Sequence, residues 1–117
     1  MGHGYEEVTL AWVRERKVNI LVDTGSTYIV LPPEMAQELG TPPPPRKHSV
    51  RLADGREAEV EVGTVTVKVD GREAPATAVL LPGAEPLLGV EALEALGLKV
   101  DPTTGRLEAT RSYTIRA

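Results

Sequence analysis

Asp23 ends the apolar run Ile20-Leu21-Val22 and leads directly into Thr24, Gly25 and Ser26. A carboxylate in that setting can cap a helix, form a turn or act as a general acid or base. The other aspartates, Asp54, Asp70 and Asp101, are each followed by glycine or proline in turn contexts. The chain has no cysteine, which excludes disulfides, thiol catalysis and thiolate metal sites. Its 2 histidines are His3 and His48, and His48 beside Arg46 and Lys47 reads as exposed loop. No metal site and no cofactor are expected. A second apolar segment, Leu87-Leu88-Gly89, lies far downstream and runs into a helical pattern.

The elements that must position Asp23 are mostly extended. Tyr5 to Val13 alternates around Val8, Leu10 and Trp12 and predicts a strand, with Arg14–Lys17 as its turn. Val18–Val22 predicts a second strand, buried on both faces. Asp23–Thr27 interrupts it and Tyr28–Leu31 resumes extended structure. Pro32-Pro33 opens a short helix over Glu34–Leu39 that Gly40 closes. Pro42–Pro45 reads as a stiff connector. The pentapeptide Asp-Gly-Arg-Glu-Ala occurs at 54–58 and again at 70–74, each copy between strand formers. Asp-Gly in such company is a strong hairpin signal. It predicts strands over Ser49–Ala53, Arg56–Asp70 and Arg72–Leu81, the long one bending near Gly63. Alternating glutamates over Glu57–Val62 predict one wet face of an antiparallel sheet. Val90, Leu93 and Leu96 fall at helical spacing before Gly97. Leu98–Val100 and Arg106–Ala109 make a hairpin, and Arg111–Arg116 is a last candidate strand.

The chain has 117 residues, which suits a single domain over residues 1–117. A formal charge of −4 with no basic stripe points away from nucleic acid. The N-terminus reads as no secretion signal, and no apolar run approaches the ~20 residues of a membrane helix. A cytoplasmic protein with no nucleic-acid or membrane partner is expected.

Leu21-Val22-Asp23-Thr24-Gly25-Ser26 resembles the active-site loop of aspartic proteases. Ala78-Val79-Leu80-Leu81 followed by Pro86-Leu87-Leu88-Gly89 and a helix is similar to the element that packs beside that loop in retropepsins, the single-domain, retroviral-type branch. The order of elements agrees from about Tyr5 to Leu107, and the likeness is greatest to compact bacterial and archaeal members. The resemblance implies a mostly β fold, a closed or partly open barrel with one or two short helices that forms a two-fold homodimer. It also implies cleavage of peptide or protein substrates by water held between two carboxylates that share one proton. One chain carries a single such loop, so the pair would be Asp23 from each of two copies. Thr24 and Gly25 would shape the loop. Ser26, Leu52 and Leu81 would contact substrate, together with the tip, Ala53-Asp54-Gly55, of a flap over Ser49–Val60. Asp54 departs from the apolar, glycine-rich flap tips of retroviral enzymes. Tyr5–Leu10 and Ser112–Arg116 are the candidate dimer strands. A second reading of the same residues is a non-catalytic module of this fold that dimerises or binds peptides.

Overall fold

The computed structural model describes residues 3–40, 46–51 and 54–110. The Pro42–Pro45 connector, Leu52, Ala53 and the candidate strand Arg111–Arg116 lie outside them. Strands β1 (His3–Ala11), β2 (Glu15–Asp23), β3 (Ile29–Leu31), β4 (Arg46–Arg51), β5 (Glu57–Val69), β6 (Arg72–Leu80) and β7 (Leu87–Leu88) form one sheet. Helix α1 (Pro33–Glu38) follows β3 and helix α2 (Val90–Leu96) follows β7. β8 (Leu98–Val100) and β9 (Leu107–Ala109) make a separate hairpin.

The strand order is β1-β2-β7-β3-β6-β5-β4, and β5 also pairs with β1, so the path of paired strands returns to its start. One face of this sheet holds the core. Val8, Leu10, Val18, Ile20, Val22, Ile29, Leu31, Val65, Val67, Ala78 and Leu88 are all at most 8% exposed. They sit at alternate strand positions, as a pleated strand with one buried face requires. Ala36 of α1 and Ala92, Leu93 and Leu96 of α2 complete the core.

The boundaries differ from the sequence reading where side chains make longer-range bonds. The β1–β2 turn is residues 12–14, not Arg14–Lys17, because Ala11 already pairs with Glu15. Arg14 turns back to α1 and donates to the carbonyls of Glu38 (3.1 Å) and Gln37 (3.4 Å). A guanidinium at these orphan carbonyls satisfies the helix end. Arg46-Lys47-His48, read as loop, is the first half of β4, in register with Val62-Glu61-Val60. β5 runs through Gly63 as one strand, but Gly63 marks the change of partner along one edge: β4 pairs up to Val62 and β1 from Thr66. A Cβ on Gly63 would lie 2.8 Å from the Trp12 ring, which packs there.

The repeated pentapeptide makes two different turns. Val69 pairs with Arg72, so Asp70-Gly71 is a two-residue hairpin turn with φ of +51° and +74°. That is the left-handed pair such turns need. Around the other copy Arg51 pairs with Glu57, leaving a longer loop in which only Gly55 of the described residues has positive φ. Asp54 closes it from its side chain, accepting from the Arg56 N–H at 3.0 Å and from Arg56 Nε at 2.7 Å.

Candidate active site

Asp23 is the last residue of β2, at the point where the strand leaves its ladder. Its Oδ1 accepts from the Gly25 N–H at 2.8 Å, and its carbonyl accepts from the Ser26 N–H at 3.1 Å. Ser26 Oγ donates to the Tyr28 carbonyl at 3.0 Å. The chain thus makes a tight turn whose side chains and backbone orient one another. Asp23 is half-buried, and Thr24 and Gly25 are exposed beside it.

The loop is braced from behind by the second apolar segment. β7 lies between β2 and β3, with Leu21 opposite Leu87, Val22 opposite Leu88 and Val30 opposite Leu87. The chain then presses Gly89 onto the loop, where a Cβ would meet the Tyr28 carbonyl oxygen at 2.5 Å, the Ser26 carbonyl oxygen at 2.7 Å and the Thr27 carbonyl carbon at 2.8 Å. Immediately after it, Val90 N–H donates to Ser26 O (2.8 Å) and Glu91 N–H to Thr27 O (2.9 Å). The first N–H groups of any helix lack intrahelical acceptors. Here the Asp23 loop supplies them, so α2 and the loop complete each other.

α2 is itself tied to β6 at both ends. The Glu91 carboxylate accepts from Thr77 N–H at 2.7 Å and Thr77 Oγ1 at 3.1 Å, while Arg72 donates to the carbonyls of Leu96 (2.8 Å) and Gly97 (3.4 Å). Bonds to a charged acceptor are stronger than neutral ones, and a part-buried N–H left without one is costly. Glu91→Ala is therefore expected to lower stability by about 2 kcal/mol, and Glu91→Gln, which keeps an acceptor, by less. Urea unfolding of the two variants checks this.

On the sheet face opposite the core, Asp23 borders an apolar row. Side chains of directly opposed residues share a face. The register therefore aligns Leu21 of β2, Leu87 of β7, Val30 of β3, Val79 of β6 and Val62 of β5. Asp23 lies two residues beyond Leu21 on the same face. Leu21, Leu87, Val30 and Val62 are half-buried, and Val79 is 6% exposed yet outside the main core cluster. The row continues up β5 through Val60 toward the β4–β5 loop, while Glu57, Glu59 and Glu61 are exposed on the other side. A carboxylate beside a half-open apolar strip is an arrangement that can do acid–base chemistry.

The model of the "gag-polyprotein putative aspartyl protease" family matches residues 11–95, which span Asp23, Gly89 and every strand of the row. The chain belongs to this aspartyl protease family. Its structure also matches EIAV protease complexed with the inhibitor HBY-793, with a TM-score of 0.66 over 85% of this chain and 92% of that one at 24% identity. That likeness is one of fold: mostly β with two helices, as in retropepsins. No protein of curated function matches the sequence significantly.

Within this aspartyl protease the candidate residues fall into two groups. Asp23, Thr24, Gly25 and Ser26 form the braced loop, whereas Leu81 follows β6 and donates its N–H to Leu31 O at 2.9 Å. Asp54 and Gly55 are exposed in the β4–β5 loop, where Asp54 is engaged by Arg56 of its own hairpin; Leu52 and Ala53 are outside the described residues. The reading from sequence gives Leu21, Val30, Val62, Val79 and Leu87 no place among the candidate site residues. Their signal was present in β2, whose apolar residues occupy both alternations. The pattern predicts burial on both faces, but Leu21 lines the open face and Asn19 is exposed.

Residues 81–86 loop out between β6 and β7, held at one end by Leu81 and at the other by Leu21 N–H donating to Pro86 O at 3.4 Å. From this loop Glu85 accepts a hydrogen bond from the hydroxyl of Tyr5, which stands opposite Leu21. The bond, and then the negative charge of Glu85, raise the Tyr5 phenol above the ordinary 10.0. A raised pKa means that the protonated, bonded form stabilises the fold below the unfolded value, and that this contribution is lost as pH rises through the folded value. Glu85→Gln is expected to bring the Tyr5 phenol down toward 10.0, as read from phenolate absorbance against pH with Tyr5→Phe as the reference.

Proposed function

We propose that the chain is an aspartic endopeptidase that works as a two-fold homodimer, with Asp23 of each copy forming one catalytic pair. The observation that carries this is the single Asp-Thr-Gly loop, braced by Gly89 beside an apolar strip, in a chain whose other aspartates are engaged in turns of their own. Asp54 is bound to Arg56, Asp70 occupies the β5–β6 turn, and Asp101 accepts from the Thr103 N–H at 2.8 Å. One chain thus holds half of the two-carboxylate machine its family name implies.

Two carboxylates close together cannot both ionise easily, so the pair holds one proton at working pH. The ionised member takes a proton from a water lying between them as that water attacks the scissile carbonyl carbon. The protonated member gives its proton to the carbonyl oxygen, forming a tetrahedral diol. Collapse of the diol breaks the C–N bond: the proton first taken from water passes to the leaving nitrogen, and a diol hydroxyl gives its proton to the other carboxylate as the new carbonyl forms, which restores the singly protonated pair. Thr24 and Gly25 hold each carboxylate in place. The substrate lies extended along Leu21, Leu87, Val30 and Val79, contacts Ser26 and Leu81, and is covered by the β4–β5 hairpin through Asp54 and Gly55. The returning path of paired strands supports reading each subunit as a partly open barrel.

Hydrolysis of an unbiased peptide library from about pH 3 to 8, with light scattering on the same samples, tests this. Cleavage whose specific activity falls on dilution, in step with loss of dimer, is expected. A strictly monomeric chain that still cuts peptides refutes the shared pair. A stable dimer that binds peptides and cuts none favours the non-catalytic module.

A further inference from the structure

Two exposed tyrosines border the row beside Asp23: Tyr5, 55% exposed, opposite Leu21, and Tyr28, 39% exposed, just before β3. Among the described residues Tyr5 is tied to a charge and Tyr28 is not. Its hydroxyl donates to Glu85 Oε1, so the carboxylate is drawn to the open face at the β1 end of the row. A second observation agrees, because Glu85 precedes Leu87 by two residues in a segment already bonded to β2 through Pro86. A carboxylate has about four acceptor sites, and one phenol uses one of them. Among the described residues no lysine, arginine or histidine forms an ion pair with Glu85, as none does with several other glutamates, but Glu85 alone of these is held against a tyrosine beside the row. The Tyr5 ring beside it adds a π face, to which cations are also attracted.

We propose that Glu85 and Tyr5 together form a subsite for a cationic side chain, arginine or lysine, of a peptide lying along the Asp23 row. The apolar strip takes the neighbouring residues of the peptide. Glu85 supplies the charge-assisted hydrogen bond, and Tyr5 holds the carboxylate in place and stacks on the cation. This subsite rests on the reading of the row as a peptide site, and it assigns that site a preference for basic sequences. The charge of the chain, −4 overall, adds weak long-range attraction in the same direction.

The test uses paired peptide pools of otherwise random sequence, with one position fixed as arginine or as citrulline, its uncharged isostere. Cleavage is measured with the wild-type protein, and equilibrium binding by fluorescence anisotropy with wild type and Asp23→Asn. At one position arginine is expected to be preferred by about tenfold at low salt, with the preference shrinking as salt screens the charge. Glu85→Gln should bring the arginine-to-citrulline ratio close to one, a change that a purely structural role for the Tyr5–Glu85 bond would not produce. A wild-type ratio near one in both assays, or a ratio unchanged in Glu85→Gln, overturns the subsite, as does a protein that neither cuts nor binds either pool. A protein that cuts nothing yet binds arginine peptides in a Glu85-dependent way overturns the hydrolytic reading and leaves the subsite standing.

Discussion

Asp23→Asn is expected to lower peptide hydrolysis by about ten-thousandfold or more while leaving the fold intact. Acid–base catalysis by a positioned side chain contributes on the order of a hundred- to ten-thousandfold, and in a homodimer the substitution removes both carboxylates at once. Asparagine keeps the shape and one acceptor oxygen, so the Gly25 N–H bond now made at 2.8 Å to Asp23 Oδ1 can persist. Circular dichroism and thermal unfolding should therefore match wild type closely. A mixing experiment sharpens the result. If wild-type and Asp23→Asn chains are unfolded together in equal amounts and refolded, random pairing makes half of the dimers mixed. Activity should then be about half that of the same amount of wild type refolded alone. Full activity after mixing would mean that each chain works by itself, and the shared pair would be refuted.

The second large effect is expected at a residue with no chemistry. Gly89→Ala places a methyl 2.5–2.8 Å from backbone atoms of Ser26, Thr27 and Tyr28. None of these can rotate aside as a side-chain tip would, so the loop or α2 must move, and the two loop-to-helix bonds at 2.8 and 2.9 Å are lost or lengthened. The expected cost is about 3 kcal/mol or more, from overpacking and unsatisfied part-buried groups together. For a domain of this size that lowers Tm by roughly 10 °C. Activity should fall much further than the folded fraction, because the displaced residues are those that follow Asp23. Gly71→Ala is the control: its φ of +74° is strained for alanine, but a Cβ there meets nothing within 4 Å. That substitution should cost about 1 kcal/mol and leave catalysis on the remaining folded protein unaltered. Equal loss of specific activity in both variants would show that Gly89 acts only through stability.

Much of the fold was legible because it rests on local rules. Asp70-Gly71 announced its hairpin, and the structure gives both residues positive φ. Gly97 announced the end of α2 and takes the left-handed conformation there. The Glu57, Glu59 and Glu61 alternation announced a wet face. Where the reading missed, a distant partner had decided the matter. Lys17 and its neighbours look like a turn, but the ladder to β1 makes them strand. Arg46-Lys47-His48 look like a loop, but β5 pairs with them. The bonds of Arg14 to α1, Arg72 to α2 and Glu91 to Thr77 each span 14 or more residues, a separation at which residue type alone names no partner.

The site divides in the same way. Sequence alone determined that a carboxylate follows an apolar strand into a Thr-Gly-Ser turn, that an apolar pair and glycine follow far downstream, and that one chain holds one such loop. These are properties of residue type and order, which short-range sterics and polarity make readable. Only the tertiary structure decided that Gly89 touches the backbone of that turn. It also decided that the outward alternation of β2, β3, β6 and β7 forms one strip beside Asp23, and that Tyr5 reaches Glu85. The physical reason is that a strand's two faces are equivalent until pairing and packing choose between them. A β2 apolar on both sides is consistent with double burial or with a core on one side and a cleft on the other. The sheet resolves this by turning Ile20 and Val22 into the core and leaving Leu21 and Asp23 half-open.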